Sequence, residues 1–255
     1  MGQETDELKT ILHQLMDIGE IMLTNGAEVN RVEDTLVRLG TAYGASRMNV
    51  FVITSSVVIT MAFPNGKEIT QTRRIQGSGG TDFTKLEALN DLSRRCCDNP
   101  MPISELEEAI KSLNSGEKKK RWQYLGSALA AGSFAIFFGG TFWDGLAASL
   151  FGLLICCMQE HLMRLCTNKV IFNLMISLVS GLTICGLTLC IPVLHFDKIL
   201  IGDIMLLIPG IAMTNSFRDI LTGDTIAGIM RLIESLLWSA ALACGFMISI
   251  WIMGV

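Results

Sequence analysis

Charge is what this sequence has least of. Only 17% of its 255 residues are Asp, Glu, Lys or Arg, against half that are hydrophobic, and the mean hydropathy is +0.47. Soluble domains carry about 25% charged residues, so an ordinary water-soluble protein is disfavoured. There is no basic excess either: the net charge is −4 and the pI about 5.4, which argues against a nucleic-acid binder. The acidic start MGQETDELKT has no apolar run, so no cleaved secretory signal is expected, and Asp6 stands where a myristoylation motif needs Ser or Thr. CxxC is absent as well. The eight cysteines include the adjacent pairs Cys96-Cys97 and Cys156-Cys157, and no His stands at ligand spacing from them, so reduced thiols and no bound metal are expected.

The charges that are present divide the chain. Residues 1–122 hold 15 Lys+Arg and 17 Asp+Glu, whereas residues 123–255 hold 5 and 7. Two solvents are implied, and hence two modules: a cytoplasmic α+β domain over 1–121 and a transmembrane helical domain over 122–255.

A bilayer core needs about 20 mostly apolar residues per helix. Five spans meet or approach this: Gln123–Gly139, Gly145–Met158 (extending to His161), Val170–Ile191, one from about Ile199, and Ile226–Met253. The fourth is expected to break at Pro209-Gly210, because proline lacks a backbone N–H and glycine tolerates unusual dihedrals. The fold class is therefore an α-helical polytopic membrane protein with an N-terminal α+β domain. Lys118-Lys119-Lys120-Arg121 precede the first span and set that side as cytoplasmic by the positive-inside rule. Five crossings then place Arg164, Lys169 and Arg218 inside, and Lys198 and the C-terminus outside. Small residues recur in the first span (Gly126 to Ser133) and the third (Ser180, Gly181, Gly186), fitting close packing within the bundle or against a second subunit.

In the N-terminal half, Leu8, Ile11, Leu12, Leu15, Ile18, Met22 and Leu23 recur at helical spacing up to Asn25-Gly26, and a second helix runs over about Val29–Tyr43. Three strands are expected at Met48–Thr54, Val57–Phe63 and Lys67–Arg74. The loop Gly77–Gly80 leads to two further helices with capping boxes Thr84…Glu87 and Ser104…Glu107. The Gly loop fits neither GxxxxGK nor GxGxxG, GxSxG is absent, and His13 is the only histidine here. No enzyme chemistry and no cofactor are expected. Glu28, Arg31, Glu33 and Asp34 cluster at a helix start, where acids suit the helix dipole and a functional role is equally open.

The densest chemistry lies in LLIPGIAMTNSFRDILTGDTIAGIMRLIESLLW, residues 206–238. Freed backbone groups at membrane depth are tolerated where they line a wet cavity, and broken helices of this kind build transporter sites. Entry at Thr225 puts Arg231 and Glu234 about 9 and 13 Å deep. Ionisable groups there point to function, the alternative being a self-neutralising Arg231–Glu234 pair at i, i+3. The candidate substrate-binding residues are Pro209, Gly210, Thr214, Asn215, Arg218, Asp219 and Arg231. Asp224 and Glu234 are candidates for proton coupling. Asp144 and Asp203, near outer span ends, fit either an external vestibule or helix caps.

These segments resemble a known family. GAEVNRVEDTL (Gly26–Leu36), TRRI (Thr72–Ile75), LEALNDLSR (Leu86–Arg94) and PGIAMTNSFRDILTGD (Pro209–Asp224) are similar, in the same order, to segments of the threonine/serine exporter family. The resemblance implies export of small carboxylate metabolites driven by the proton motive force. Single-chain members look like two membrane halves of about five spans each. This chain is similar to the larger subunit of the two-component type associated with succinate export, so a small membrane partner is expected to supply the second half. The substrate stays open between hydroxy amino acids and dicarboxylates, since Arg218 and Arg231 suit either. The rival reading is a membrane-tethered metabolite sensor or scaffold. A hydrolase fares worse, having no nucleophile-base pair.

Overall fold

The structure is a computed structural model that describes residues 2–75, 80–115, 120–162, 166 and 168–254. Gly77–Gly79, Lys118-Lys119 and Arg164, on which parts of the loop and orientation expectations rest, lie outside the described residues. Among the described residues the order is α1 (Gly2–Thr24), α2 (Val29–Ala42), β1 (Arg47–Ile53), β2 (Ser56–Ala62), β3 (Glu68–Arg74), α3 (Phe83–Asp98), α4 (Ile103–Ser115), α5 (Lys120–Phe137), α6 (Phe142–Leu162), α7 (Lys169–Cys190), α8 (Phe196–Leu207), α9 (Gly210–Thr222) and α10 (Thr225–Met253). The chain forms two compact units, one of residues 1–117 with 211–232, the other of 118–210 with 233–255. The change in composition near residue 121 marks the first crossing between them. Nothing in the composition marks residues 211–232 as part of the first unit.

In the first unit the strands form an antiparallel sheet in the order β1-β2-β3. Alternation sets its inner face: Val52, Val57, Ile59 and Met61 are buried with Leu12, Leu15, Leu36, Leu39, Leu89 and Leu92 from the helices. Arg73, at the end of β3 and inside the TRRI segment, forms ion pairs with Asp17 and Glu20 and so ties α1 to the sheet. The free edge of β1 is also covered, because Glu33 of α2 accepts a hydrogen bond from the Val52 N–H at 2.8 Å. The α3 cap differs from expectation. Asp82, not Thr84, is the N-cap, accepting from Lys85 N, because the helix begins at Phe83, before Thr84 could occupy a capping position.

The second unit is helical. Among the described residues three helices are long and apolar enough to cross a membrane: α6, α7 and α10. The break at Pro209 is present, with α8 ending at Leu207 and α9 beginning at Gly210. Helix α6 starts at Phe142, three residues before the expected Gly145, because Asp144 closes its first turn by accepting from Thr141 N (2.7 Å) and Thr141 Oγ1 (2.8 Å). The same carboxylate accepts from His195 N at 2.7 Å at the start of α8, so Asp144 acts as a helix cap. Large apolar side chains such as Phe137, Leu150 and Trp251 point outward, as a lipid-facing surface requires.

Small residues set the helix spacing. A Cβ on Gly132 would lie 2.8 Å from the Gly145 carbonyl oxygen, and one on Gly202 2.5 Å from that of Ala131. Helices α7 and α10 meet by a reciprocal exchange: Gly181 lies against Ser249, and Gly245 against Ser177. These glycines pack within the chain, whereas Gly126 and Gly186 face open space. Gly245→Val is expected to lower stability by about 1–3 kcal/mol, because its Cβ would sit 2.6 Å from the Leu174 carbonyl, which cannot rotate away. Thermal unfolding in detergent checks this, with Gly186→Ala expected to leave the midpoint unchanged.

Candidate functional site

The site is built in the first unit, where two turns meet. Helix α1 ends in a Schellman turn: Ala27 N donates to Met22 O at 3.0 Å and Gly26 N to Leu23 O at 3.2 Å, with Gly26 at φ +89°. Only glycine adopts that conformation without strain. The turn leaves the carbonyls of Gly26 and Ala27 available, together with the first N–H of α2, an unpaired donor at any helix start. The second turn joins α9 to α10 in the same way, with Gly223 at φ +106° and Asp224 N donating to Asp219 O at 2.9 Å.

The side chains of the second turn satisfy the backbone of the first. Asn215 Nδ2 donates to Gly26 O at 3.0 Å, and Arg231 Nη2 donates to Ala27 O at 3.2 Å. Asp219 Oδ1 accepts from Val29 N at 3.1 Å, and its Oδ2 lies 2.9 Å from Arg231 Nη1. Glu28, the N-cap residue of α2, makes no capping bond with its own side chain. Asp219 supplies that cap from 190 residues away, where the helix dipole favours a carboxylate. Glu28 instead turns outward to Arg218, Nη1 to Oε1 at 2.6 Å. The Asp219–Arg231 pair is enclosed, at 1% and 12% side-chain exposure, whereas Arg218 is 64% exposed. One ion pair is thus a buried fastening and the other an open one.

The candidate residues divide accordingly. Asn215, Arg218, Asp219, Arg231 and Glu28 come together. Arg231 pairs with Asp219. Thr214 is exposed on α9, and Pro209 and Gly210 belong to the second unit. Glu234, also in the second unit, lies near enough to Lys169 for its charge to act there, and the Lys169 ammonium sits 4.2 Å from the centroid of the Trp238 ring. Asp224 stands close to Glu33. Arg31 and Asp34 line a cavity of about 350 Å³ with Arg38, Asn90 and Arg94, in which Asp34 pairs with Arg38 at 2.9 Å. The acceptors Gly26 O and Ala27 O and the donor Val29 N escaped residue-by-residue reading, since they are backbone groups. The glycine of the GAEV segment was their signal.

A family described as "Putative threonine/serine exporter" matches residues 13–253 of the chain, which takes in both turns. The chain belongs to the threonine/serine exporter family. It is similar to a "Probable threonine/serine exporter" of Mycobacterium tuberculosis, 25% identical over 256 residues, covering 96% of this chain and 47% of the relative. It is also similar to the "Probable succinate transporter subunit YjjP" of Klebsiella aerogenes and of Escherichia coli, each 20% identical and 98% covered, over 100% and 99% of this chain. The chain thus spans about half the length of the mycobacterial protein and nearly all of the other two. No solved structure matches. The apolar helices α6, α7 and α10 are of a length and composition that suit a membrane-transporter family.

Two outcomes are expected. Asp219→Ala leaves the Arg231 guanidinium and the Val29 N–H without their partner and should cost about 3–5 kcal/mol, as for other broken buried pairs. Asp219→Asn keeps an acceptor for Val29 and should cost less, both read as lost amide protection at 29–32 by hydrogen exchange. Glu33 responds to pH. Burial, and then the negative charge of Asp224, raise its pKa above the ordinary value, and the Val52 N–H only partly offsets this. Protons are then bound more tightly in the folded state, so stability falls as pH rises from the unfolded-state value through the raised folded one. Glu33→Gln, which still accepts from Val52, should raise the unfolding midpoint at neutral pH and lose that advantage in acid.

Proposed function

We propose that the chain is a subunit of a secondary transporter that exports small carboxylate metabolites, threonine and serine or succinate-like dicarboxylates, using the proton motive force. The observation that carries this reading is the clasp between the α1–α2 turn and the α9–α10 turn. It joins two of the segments that resemble the family, and it follows directly on the helix break at Pro209. The first unit lies on the cytoplasmic side and the C-terminus outside. Helices α5, α6, α7, α8 and α10 provide five crossings, α8 being a half-length helix that ends at the break, as in other transporters with discontinuous helices. A small membrane partner supplies the second half. The subunit in the names of two relatives supports this, as does the open space beside Gly126 and Gly186.

In this reading Pro209, Gly210, Thr214, Asn215, Arg218, Asp219 and Arg231 form the segment that meets substrate, with different duties. Arg231 and Asp219 neutralise one another and hold the turns together. Arg218 is exposed and, among the described residues, its guanidinium pairs with Glu28, so a substrate carboxylate arriving from the cytoplasm can replace Glu28 as its partner. Exchange of one carboxylate for another on an exposed guanidinium has little net energetic cost, because such pairs are worth about 0–1 kcal/mol. Losing Glu28 from Arg218 loosens the clasp, so that binding and opening are coupled. A membrane-tethered sensor is the second reading, favoured by the cavity in which Arg31, Arg38 and Arg94 converge.

The test is efflux of labelled threonine, serine and succinate from cells expressing the chain with and without the small partner. Arg218→Ala is expected to lower efflux at least tenfold at unchanged protein level, with Arg218→Lys intermediate. Wild-type efflux of none of the three would overturn the exporter reading. Metabolite binding without transport would establish the sensor.

A further inference from the structure

Asp203 is the outstanding polar group of the second unit. It lies in the middle of α8, about 10 Å along the helix from its start, and its side chain is wholly buried. Among the described residues neither of its carboxyl oxygens has a hydrogen-bond partner, and no cation pairs with it. Asp144 makes the contrast. It too is buried in the second unit, yet its oxygens accept from Thr141 and His195. Interfacial capping, which explains Asp144, does not explain Asp203.

A second orphan faces the same layer. Ser180 of α7 is fully buried, and its Oγ has no partner among the described residues. Ile176, Ser180 and Ile184 form one i, i+4 stripe on α7; Ile199, Asp203 and Leu207 form another on α8. The short turn at residues 191–195 folds α8 back along α7, so the two run antiparallel. Ile184 and Ile199 share one apolar cluster, and Ile176 and Leu207 share the other. The middle members, Ser180 and Asp203, therefore stand at one level between the clusters.

Among the described residues none of the titratable groups on the helices of this unit is paired with Asp203. Helix α5 passes it with Ala131 and Ala135, which lie against Gly202. Near its start α5 also carries Arg121 and Tyr124; α6 carries the occupied Asp144 at its start, the thiols Cys156 and Cys157, and Glu160 and His161 in its last turn; α7 carries Lys169 at its start and the thiols Cys185 and Cys190 toward its end; and the part of α10 in this unit carries Glu234 and Cys244. On α8 itself Asp197 and Lys198 pair with each other at 3.1 Å. An ionised carboxylate without a donor in such surroundings is far more costly than a neutral carboxyl, which has a single hydroxyl proton to place.

We propose that Asp203 is the proton-binding carboxyl of the membrane unit: neutral in the closed bundle described here, and ionised when α7 and α8 separate and water enters. In that step the carboxyl O–H bond breaks, the proton passes to water as hydronium, and the carboxylate left behind is hydrated by the water that has entered. Closure requires the carboxyl to take a proton up again, so each cycle carries one proton across when release and uptake occur at opposite faces. This deepens the exporter reading and rests on it for its use. It moves the coupling role from Asp224, which belongs to the first unit, and from Glu234, which is exposed.

Infrared spectroscopy of the full chain in phosphatidylcholine–phosphatidylglycerol vesicles tests the proton site. At neutral pH the wild type is expected to show the carbonyl stretch of a neutral, weakly bonded carboxyl, and D203N to lose it. Absence of that band from the wild type, or its persistence in D203N, overturns the proposal. Transport tests the use of the site, as the ratio of labelled threonine, serine or succinate efflux with and without an imposed pH gradient. D203N should bring that ratio to one, and D203E should restore it. A gradient response in D203N equal to wild type overturns the coupling role. If the wild type moves none of the three probes, the exporter reading fails, while the infrared band still decides the proton site.

Discussion

A buried carboxylate holds the first unit of this protein together. Asp219 caps α2 in place of the helix's own N-cap residue and neutralises Arg231, so one side chain satisfies a helix N-terminus and a guanidinium at once. Each of these groups is costly to bury alone. Their mutual satisfaction is what lets residues 211–232 pack with the N-terminal domain. Because Asp219 is occupied in this way, Glu28 is released to face outward toward Arg218, and the open ion pair exists because the closed one does.

The two units treat charge by opposite rules. In the first, ionised groups are brought together and paired: Arg73 with Asp17 and Glu20, Asp219 with Arg231, Glu33 with the free edge of β1. In the second, close contact between helices is achieved by glycine and serine, as where Gly181 and Gly245 receive Ser249 and Ser177. Lipid offers no hydrophobic reward for helix association, so close approach of backbones has to supply it. Against that background Asp203, buried and without a hydrogen-bond partner among the described residues, is the exception.

Local pattern was enough for most elements. The apolar repeat up to Leu23 became α1, the β-branched runs became β1 and β2, and the break at Pro209 appeared where proline chemistry requires it. The misplaced cap at Thr84 shows the limit of such reading, since Thr84 and Asp82 are both plausible caps two residues apart and only the helix start decides between them. Asp144 and Asp203 show it more sharply. Both are lone acids in apolar sequence, and nothing local distinguishes the one with partners from the one without.

The sequence by itself determined the division between charged and apolar segments, the type of nearly every element and the segments that resemble the family, because each depends on residues within a few positions of one another. Tertiary structure alone decided which charges meet. Asp219 and Val29 are 190 residues apart, and Arg231 and Ala27 are 204 apart. A guanidinium at residue 231 is as compatible in sequence with Glu234, one turn away, as with Asp219. The Asp219 partnership follows from burial, which favours a carboxylate that also satisfies a helix N-terminus.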